Sequence, residues 1–150
     1  QVARQFSIAL PTVPNTTARG DALMAFWLGP RSWLLVAESA GSPLADFVKR
    51  GYSINAASCA LFDLTASRVA YRLAGSRATD ALATGCPLDL HPRAFRAGDC
   101  AQSLFGRVNA LLYKSDDAPT FLIMVARSFA HDVWQTLCFC SAQYGYQEVL

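Results

Sequence analysis

The residues of this chain that could do chemistry gather most closely in one run, Gly85-Cys86-Pro87-Leu88-Asp89-Leu90-His91-Pro92. Cys86 could supply a thiolate nucleophile, His91 its base and Asp89 the group that orients the imidazole, the three parts that nucleophilic catalysis requires. The local field opposes this. Cys86 directly follows Gly85, which reads as the stop of a helix, and the negative end of a helix dipole disfavours a thiolate. A zinc site built on Cys86 and His91 would need further ligands from distant parts of the chain. The structural alternative is a loop stiffened by Pro87 and Pro92, in which Asp89 and His91 hydrogen-bond backbone groups.

Elsewhere the candidates are weaker. His131, the second of 2 histidines, falls in the first turn of a helix and out of phase with its apolar positions, as a surface residue does. Asp116-Asp117 precede Ala118-Pro119 and read as solvated residues of a hairpin tip. No Gly-x-Gly-x-x-Gly or Gly-Lys-Ser/Thr phosphate loop occurs. Trp27, Trp33 and Trp134 lie in periodic segments and read as core or interface residues. Cys59, Cys86, Cys100, Cys138 and Cys140 are odd in number and lack Cys-x-x-Cys spacing. That is the usage of small apolar residues in a reducing cytoplasm, not a disulfide framework. No catalytic, cofactor-binding or metal-binding residue is therefore expected on this chain.

The elements that position these residues follow a simple alternation. Phe6 to Leu10 reads as a short strand, and Pro11, Pro14, Asn15 and Gly20 as an irregular connection after it. Ala22–Leu28 and Ser32–Ala37 read as a hairpin across Gly29-Pro30-Arg31. A helix follows, with Ser42 as N-cap, Pro43 at its first position, Leu44, Phe47 and Val48 on one face, and Gly51 past its end. A second hairpin pairs Ser58–Leu64 with Arg68–Leu73 across Thr65-Ala66-Ser67, and Val69, Tyr71 and Leu73 alternate with Arg68, Ala70 and Arg72. A helix over Arg77–Thr84 takes Ser76 as N-cap and Gly85 as a left-handed stop. After the proline-bracketed loop, strands span Gln102–Tyr113, broken near Gly106, and Thr120–Arg127. The last helix runs from Phe129 to Tyr144, capped by Ser128 and stopped by Gly145, with Ala130, Val133, Trp134, Leu137 and Ser141 on its apolar face. Repeated strand pairs followed by helices predict an α+β fold with mostly antiparallel sheets, in a duplicated ferredoxin-like arrangement and a single domain over 1–150.

Composition bounds the function. The 150 residues are 53% apolar but only 16% charged, against roughly 25% in typical domains. A small domain with so few charges leaves apolar area on its surface, the mark of a chain that binds a protein partner or self-associates when isolated. The net charge of +2 is spread along the chain without a basic cluster, which argues against nucleic acid. The longest apolar run, Phe121 to Ala126, is too short to cross a bilayer. No leader pattern follows Gln1, and a cytoplasmic location is expected.

Three motifs then point to a family. The Gly85–Pro92 run with Phe95, Cys100-Ala101-Gln102-Ser103, and Val125-Ala126-Arg127-Ser128-Phe129-Ala130 with Trp134 resemble the gamma subunit of heterotetrameric sarcosine oxidases. The likeness extends back through Asp63-Leu64-Thr65, Arg68–Leu73 and Gly75-Ser76-Arg77-Ala78 and covers roughly two thirds of the chain, in the family's order and spacing. The N-terminal third follows the family pattern only loosely. The resemblance implies a fold like the folate-binding domain of aminomethyltransferases. It also implies an enzyme of four different chains that oxidatively demethylates sarcosine to glycine, forms hydrogen peroxide and passes the one-carbon unit to tetrahydrofolate. FAD, FMN and NAD would belong to the alpha and beta chains and, in some members, zinc to the delta chain. The gamma chain brings no established catalytic residue to carry over, so Gly85 to Pro92, Arg127, Ser128, Phe129 and Trp134 are expected to be structural or interface residues. A related oxidase or dehydrogenase of another N-methylated amino acid, such as N-methylglutamate, would use the same kind of subunit; the other alternative is a stand-alone folate-binding, aminomethyltransferase-like module, for which Asp63 and Asp89 are the candidate pterin-pairing carboxylates.

Overall fold

The computed structural model describes residues 5–50, 54–56 and 59–149. The chain divides into two compact units, Gln1–Ala66 and Ser67–Leu150.

In the first unit, β1 (Thr17–Gly20), β2 (Leu23–Gly29) and β3 (Ser32–Ala37) form an antiparallel sheet in that order. The β2–β3 hairpin turns where the proline was expected to turn it. Helix α1 (Pro43–Lys49) starts as its sequence dictates, with Pro43 in the first turn and the Ser42 hydroxyl accepting the Ala45 N–H at 3.1 Å. Its expected stop, Gly51, and the expected strand start, Ser58, lie outside the described residues. Strands β4 (Ile54–Ala56) and β5 (Cys59–Leu61) make a separate antiparallel pair. The core of this unit is Phe6, Ile8, Leu23, Ala25 and Leu44, with Phe47 meeting Phe6 edge to face at 5.4 Å.

Phe6 to Leu10 is not a strand. Ser7 takes a positive φ of 51° and Asn15 one of 62°, which bends the chain out of extended geometry, and Pro11 and Pro14 remove two ladder donors. Phe6 and Ile8 are buried as packed coil, and the Trp33 indole N–H fastens the segment by donating to the Pro11 carbonyl at 2.7 Å.

The second unit is a four-stranded antiparallel sheet with two helices. Strands β6 (Arg68–Ala74), β7 (Cys100–Phe105), β8 (Val108–Lys114) and β9 (Thr120–Ala126) lie in the order β6-β9-β8-β7. Helices α2 (Ala78–Gly85) and α3 (Ala130–Ala142) pack on each other, α2 also meeting β7 and α3 meeting β9. Beneath them Ala101, Phe105, Ala110, Leu112, Phe121, Ile123 and Val125 meet Leu82, Val133 and Leu137 in one core. Leu111, Tyr113 and Met124, which alternate with these positions, are buried as well. That double burial is why the Phe121–Ala126 run has no polar face.

The expected hairpin of Ser58–Leu64 with Arg68–Leu73 does not form. Thr65–Ser67 is a single 3-10 turn, β5 returns to β4, and β6 pairs with β9 in the register Val69↔Val125, Tyr71↔Ile123, Leu73↔Phe121. A strand buried on both faces needs neighbours on both edges, so β9 takes β6 from across the unit and the local turn decides nothing. The alternation inside β6 stands: Arg68, Ala70, Arg72 and Ala74 are exposed, and Val69, Tyr71 and Leu73 half-buried.

Two cap assignments also change. Ser76 and Ser128 are not N-caps; Arg77 and Phe129 occupy those positions and make no side-chain cap hydrogen bond. A 3-10 turn, Arg127–Phe129, leads into α3 instead. The described residues thus form an α+β fold in which every strand pairing is antiparallel.

Candidate functional site

Gly85 does not need a left-handed backbone; it is the last residue of α2 and its role is closeness. A Cβ there would stand 2.7 Å from the Phe105 ring and 3.3 Å from the Cys140 sulfur. Its carbonyl accepts the Gly106 N–H at 2.7 Å, which joins the end of α2 to the β7–β8 turn. Phe105 and Cys140 are both buried, and burial pushes the Cys140 thiol up from its ordinary pKa. Such a thiol stays protonated at neutral pH and is no nucleophile.

From this point the chain alternates inward and outward. Cys86 and Leu90 are buried and Leu88 packs against the same core, whereas Pro87, Asp89, His91 and Pro92 are exposed. The Cys86 thiol points to the Ser103 hydroxyl at 3.8 Å. Asp89 accepts the His91 N–H at 2.9 Å, and His91 Nδ1 accepts the Arg93 N–H at 3.2 Å. The His91 carbonyl takes two more N–H groups, of Ala94 at 2.8 Å and Phe95 at 2.9 Å, and Phe95 closes the loop into the core. Asp99 accepts the Arg96 N–H at 2.7 Å. Cys86 and His91 therefore engage different groups: one looks into the sheet, the other holds its own loop. Neither hydrogen-bonds the other.

Arg127, Ser128 and Phe129 sit at the other end of α3. All three are exposed, and the Phe129 side chain is 46% accessible. Trp134 is half-buried and lies 5.7 Å from the Tyr71 ring, and the Tyr71 hydroxyl donates to the Ala130 carbonyl at 2.7 Å. From Ala130 to Cys140 the axis of α3 runs roughly 15 Å, so the two motif groups mark opposite ends of one helix and not a common pocket. Phe105, which packs against Gly85, carries no signal in the sequence that would mark it, and Tyr71 and Cys140 are legible there only as a strand residue and a small apolar residue. The spacing of Cys140, three residues after Leu137, places it on the buried face.

Asp63, another carboxylate of the motif region, is exposed and accepts the Thr65 N–H at 2.9 Å. Its hydrogen bonds to the Thr65 side chain and backbone hold it below the usual carboxylate range. Among the described residues no three His, Cys, Asp or Glu side chains gather as a metal site would need, and no helix is long and apolar enough to cross a membrane. Large apolar side chains do stand in water: Phe139 on the outer face of α3 is 79% exposed and Phe62 77%, with Val13, Leu64 and Leu104 also exposed.

Fold and motifs together define an α+β protein whose motif residues tie helix ends to a sheet. The chain belongs to the sarcosine oxidase, gamma subunit family, whose profile matches residues 1–143 and so takes in the loosely patterned N-terminal third. It is 28% identical over 117 residues to the sarcosine oxidase subunit gamma of Corynebacterium sp. (strain P-1), covering 78% of this chain and 55% of that one. It is 27% identical over 106 residues to the subunit gamma of an Arthrobacter sp., covering 71% of this chain and 50% of that one. The chain thus spans about half the length of these curated relatives. Among solved structures it is similar to a chain of the heterotetrameric sarcosine oxidase from Corynebacterium sp. U-96 in complex with pyrrole 2-carboxylate. That likeness has a TM-score of 0.82 and 25% identity and covers 99% of this chain and 75% of the other.

Proposed function

We propose that this chain is an assembly subunit of a heterotetrameric sarcosine oxidase and lends the complex binding surface, not catalytic groups. The observation that carries the reading is family membership across residues 1–143. The charge deficit and the exposed Phe139, Phe62 and Phe129 support it, as apolar area that a partner can cover. In this reading the alpha, beta and delta chains are its partners. FAD, FMN and NAD reside on alpha and beta, zinc on delta in some members, and no cofactor on this chain. The complex acts in the cytoplasm, demethylating sarcosine to glycine with formation of hydrogen peroxide and transfer of the one-carbon unit to tetrahydrofolate.

The finer likeness to a folate-binding, duplicated ferredoxin-like domain belongs to the same proposal. What supports it is the all-antiparallel four-stranded sheet with two helices in the second unit. The second unit departs from that pattern in having no helix between β8 and β9, in placing its second helix after β9, and in carrying β6 at the sheet edge.

Co-expression with the other three chains tests the reading. The expected result is a flavin-containing complex that includes this chain and turns over sarcosine. Turnover of N-methylglutamate in place of sarcosine would change the substrate and keep the assembly role. One-to-one binding of tetrahydrofolate by the chain alone, in calorimetric titration, would replace the reading with an independent folate module.

A further inference from the structure

We infer that β6 is an open sheet edge that receives an extended, carboxylate-bearing segment of a partner subunit as a fifth strand; this rests on the assembly reading above. Strand β6 is seven residues long and, among the described residues, its only ladder is with β9. Alternate backbone N–H and C=O groups along its other side therefore face outward. Among the described residues, Arg68–Ala74 make no hydrogen bond or ion pair beyond the β9 ladder and the Tyr71 contact already described.

Two features say what kind of segment fits. On the helix side of the sheet, Val69, Tyr71 and Leu73 are half-buried, while their β9 partners Val125, Ile123 and Phe121 are wholly buried. Apolar area is thus left at the edge for another strand to cover. On the other side, Arg68 and Arg72 are exposed, make no ion pair among the described residues, and have Ala126 and Leu122 as uncharged cross-strand neighbours. They stand about 13 Å apart along the strand, the reach between carboxylates four residues apart on an incoming strand.

A second copy paired antiparallel about Ala70 would set Arg68 against Arg72 twice, like charge directly opposite like, which disfavours that register. Strand addition gives affinity through the backbone, and the arginines choose the partner by charge.

The test compares backbone amide exchange in the chain alone and in the complex co-expressed with the alpha, beta and delta chains. Amides of Arg68–Ala74 should exchange about tenfold or more slowly in the complex. In parallel, R68E/R72E should lower the recovered complex about tenfold while R68K/R72K retains it, and circular dichroism of both variants should match the parent. A complex that forms normally with unprotected β6 amides, or with R68E/R72E at parental yield, would overturn this inference and leave the assembly reading intact. Protection of β6 in the chain alone through self-association would overturn it in favour of a second copy. No complex with the parent chain would remove both.

Discussion

Two irregular stretches, residues 5–15 and residues 86–98, are held in place by opposite means. The first relies on apolar burial: Phe6 and Ile8 fill a core beside Leu23, Leu44 and Phe47, and one indole N–H holds the Pro11 carbonyl. The second relies mainly on capture of its own backbone, with Asp89, His91 and Asp99 taking N–H groups and Leu90 and Phe95 as its apolar anchors. Apolar anchors are few and individually strong, whereas backbone captures are many and individually weak. Both stretches should therefore fail at a single apolar anchor, Phe6 in the first and Phe95 in the second, whereas the polar captures of the second should fail only by degrees.

Phe6→Ala should do the most damage, about 4 kcal/mol, because it empties a buried site and strands the Phe47 ring. A thermal melt should show a midpoint lower by roughly 10 °C. If the midpoint moves by no more than it does for a loop variant, the stretch is not held by burial. Gly85→Ala comes next. The overlap with the Phe105 ring costs about 2 kcal/mol, and better helix propensity returns up to about 1. In a Phe105→Leu background most of that cost should vanish, and a double-mutant cycle measures this directly. Asp89→Ala and His91→Ala each remove one acceptor from an exposed N–H and should cost about 1 kcal/mol or less, with some coupling between them because both bonds run through His91. The double variant should lower the yield of assembled complex without changing flavin turnover in what does assemble. Normal yield with lost turnover would return the loop to the catalytic candidates.

Smallest is the effect of Asp63. Its folded carboxyl titrates below the usual range because Thr65 hydrogen-bonds the charged form. The stability it contributes is complete above the unfolded carboxyl's pKa and is lost as pH falls through the lower folded value. Thr65→Ala should move the Asp63 midpoint upward toward the ordinary carboxylate value in an NMR titration. An unmoved midpoint would assign the shift to another cause.

Features set by neighbours in sequence were readable from it. The Ser42 cap, the alternation in β6, the Gly106 break and the loop between Pro87 and Pro92 all depend on residues within one turn of each other. Features set by distant partners were not. Phe6 to Leu10 has the apolar content of a strand, but nothing local says whether it finds a ladder or only a core. Arg68–Leu73 reads as a strand whether it pairs with its neighbour or with residues 120–126. Gly85 reads as a helix stop because the usual reason for such a glycine is a left-handed backbone, and the ring it accommodates lies twenty residues on in the chain. The motif residues were found, but their grouping at two ends of α3 is a property of the packed helix.

The hydrogen bond between Gly106 and Gly85 makes an ordinary turn unusually intolerant of length change. Gly106, with φ of 59°, opens a two-residue hairpin loop, the kind of surface site where insertions are commonly absorbed. Here the first N–H of that loop finishes a helix, and the ring just before it fills the gap left by the missing side chain of Gly85. One added residue would slide both away from α2 together. Family members should therefore vary in the length of the β8–β9 tip well before they vary in the spacing between Phe105 and Val108.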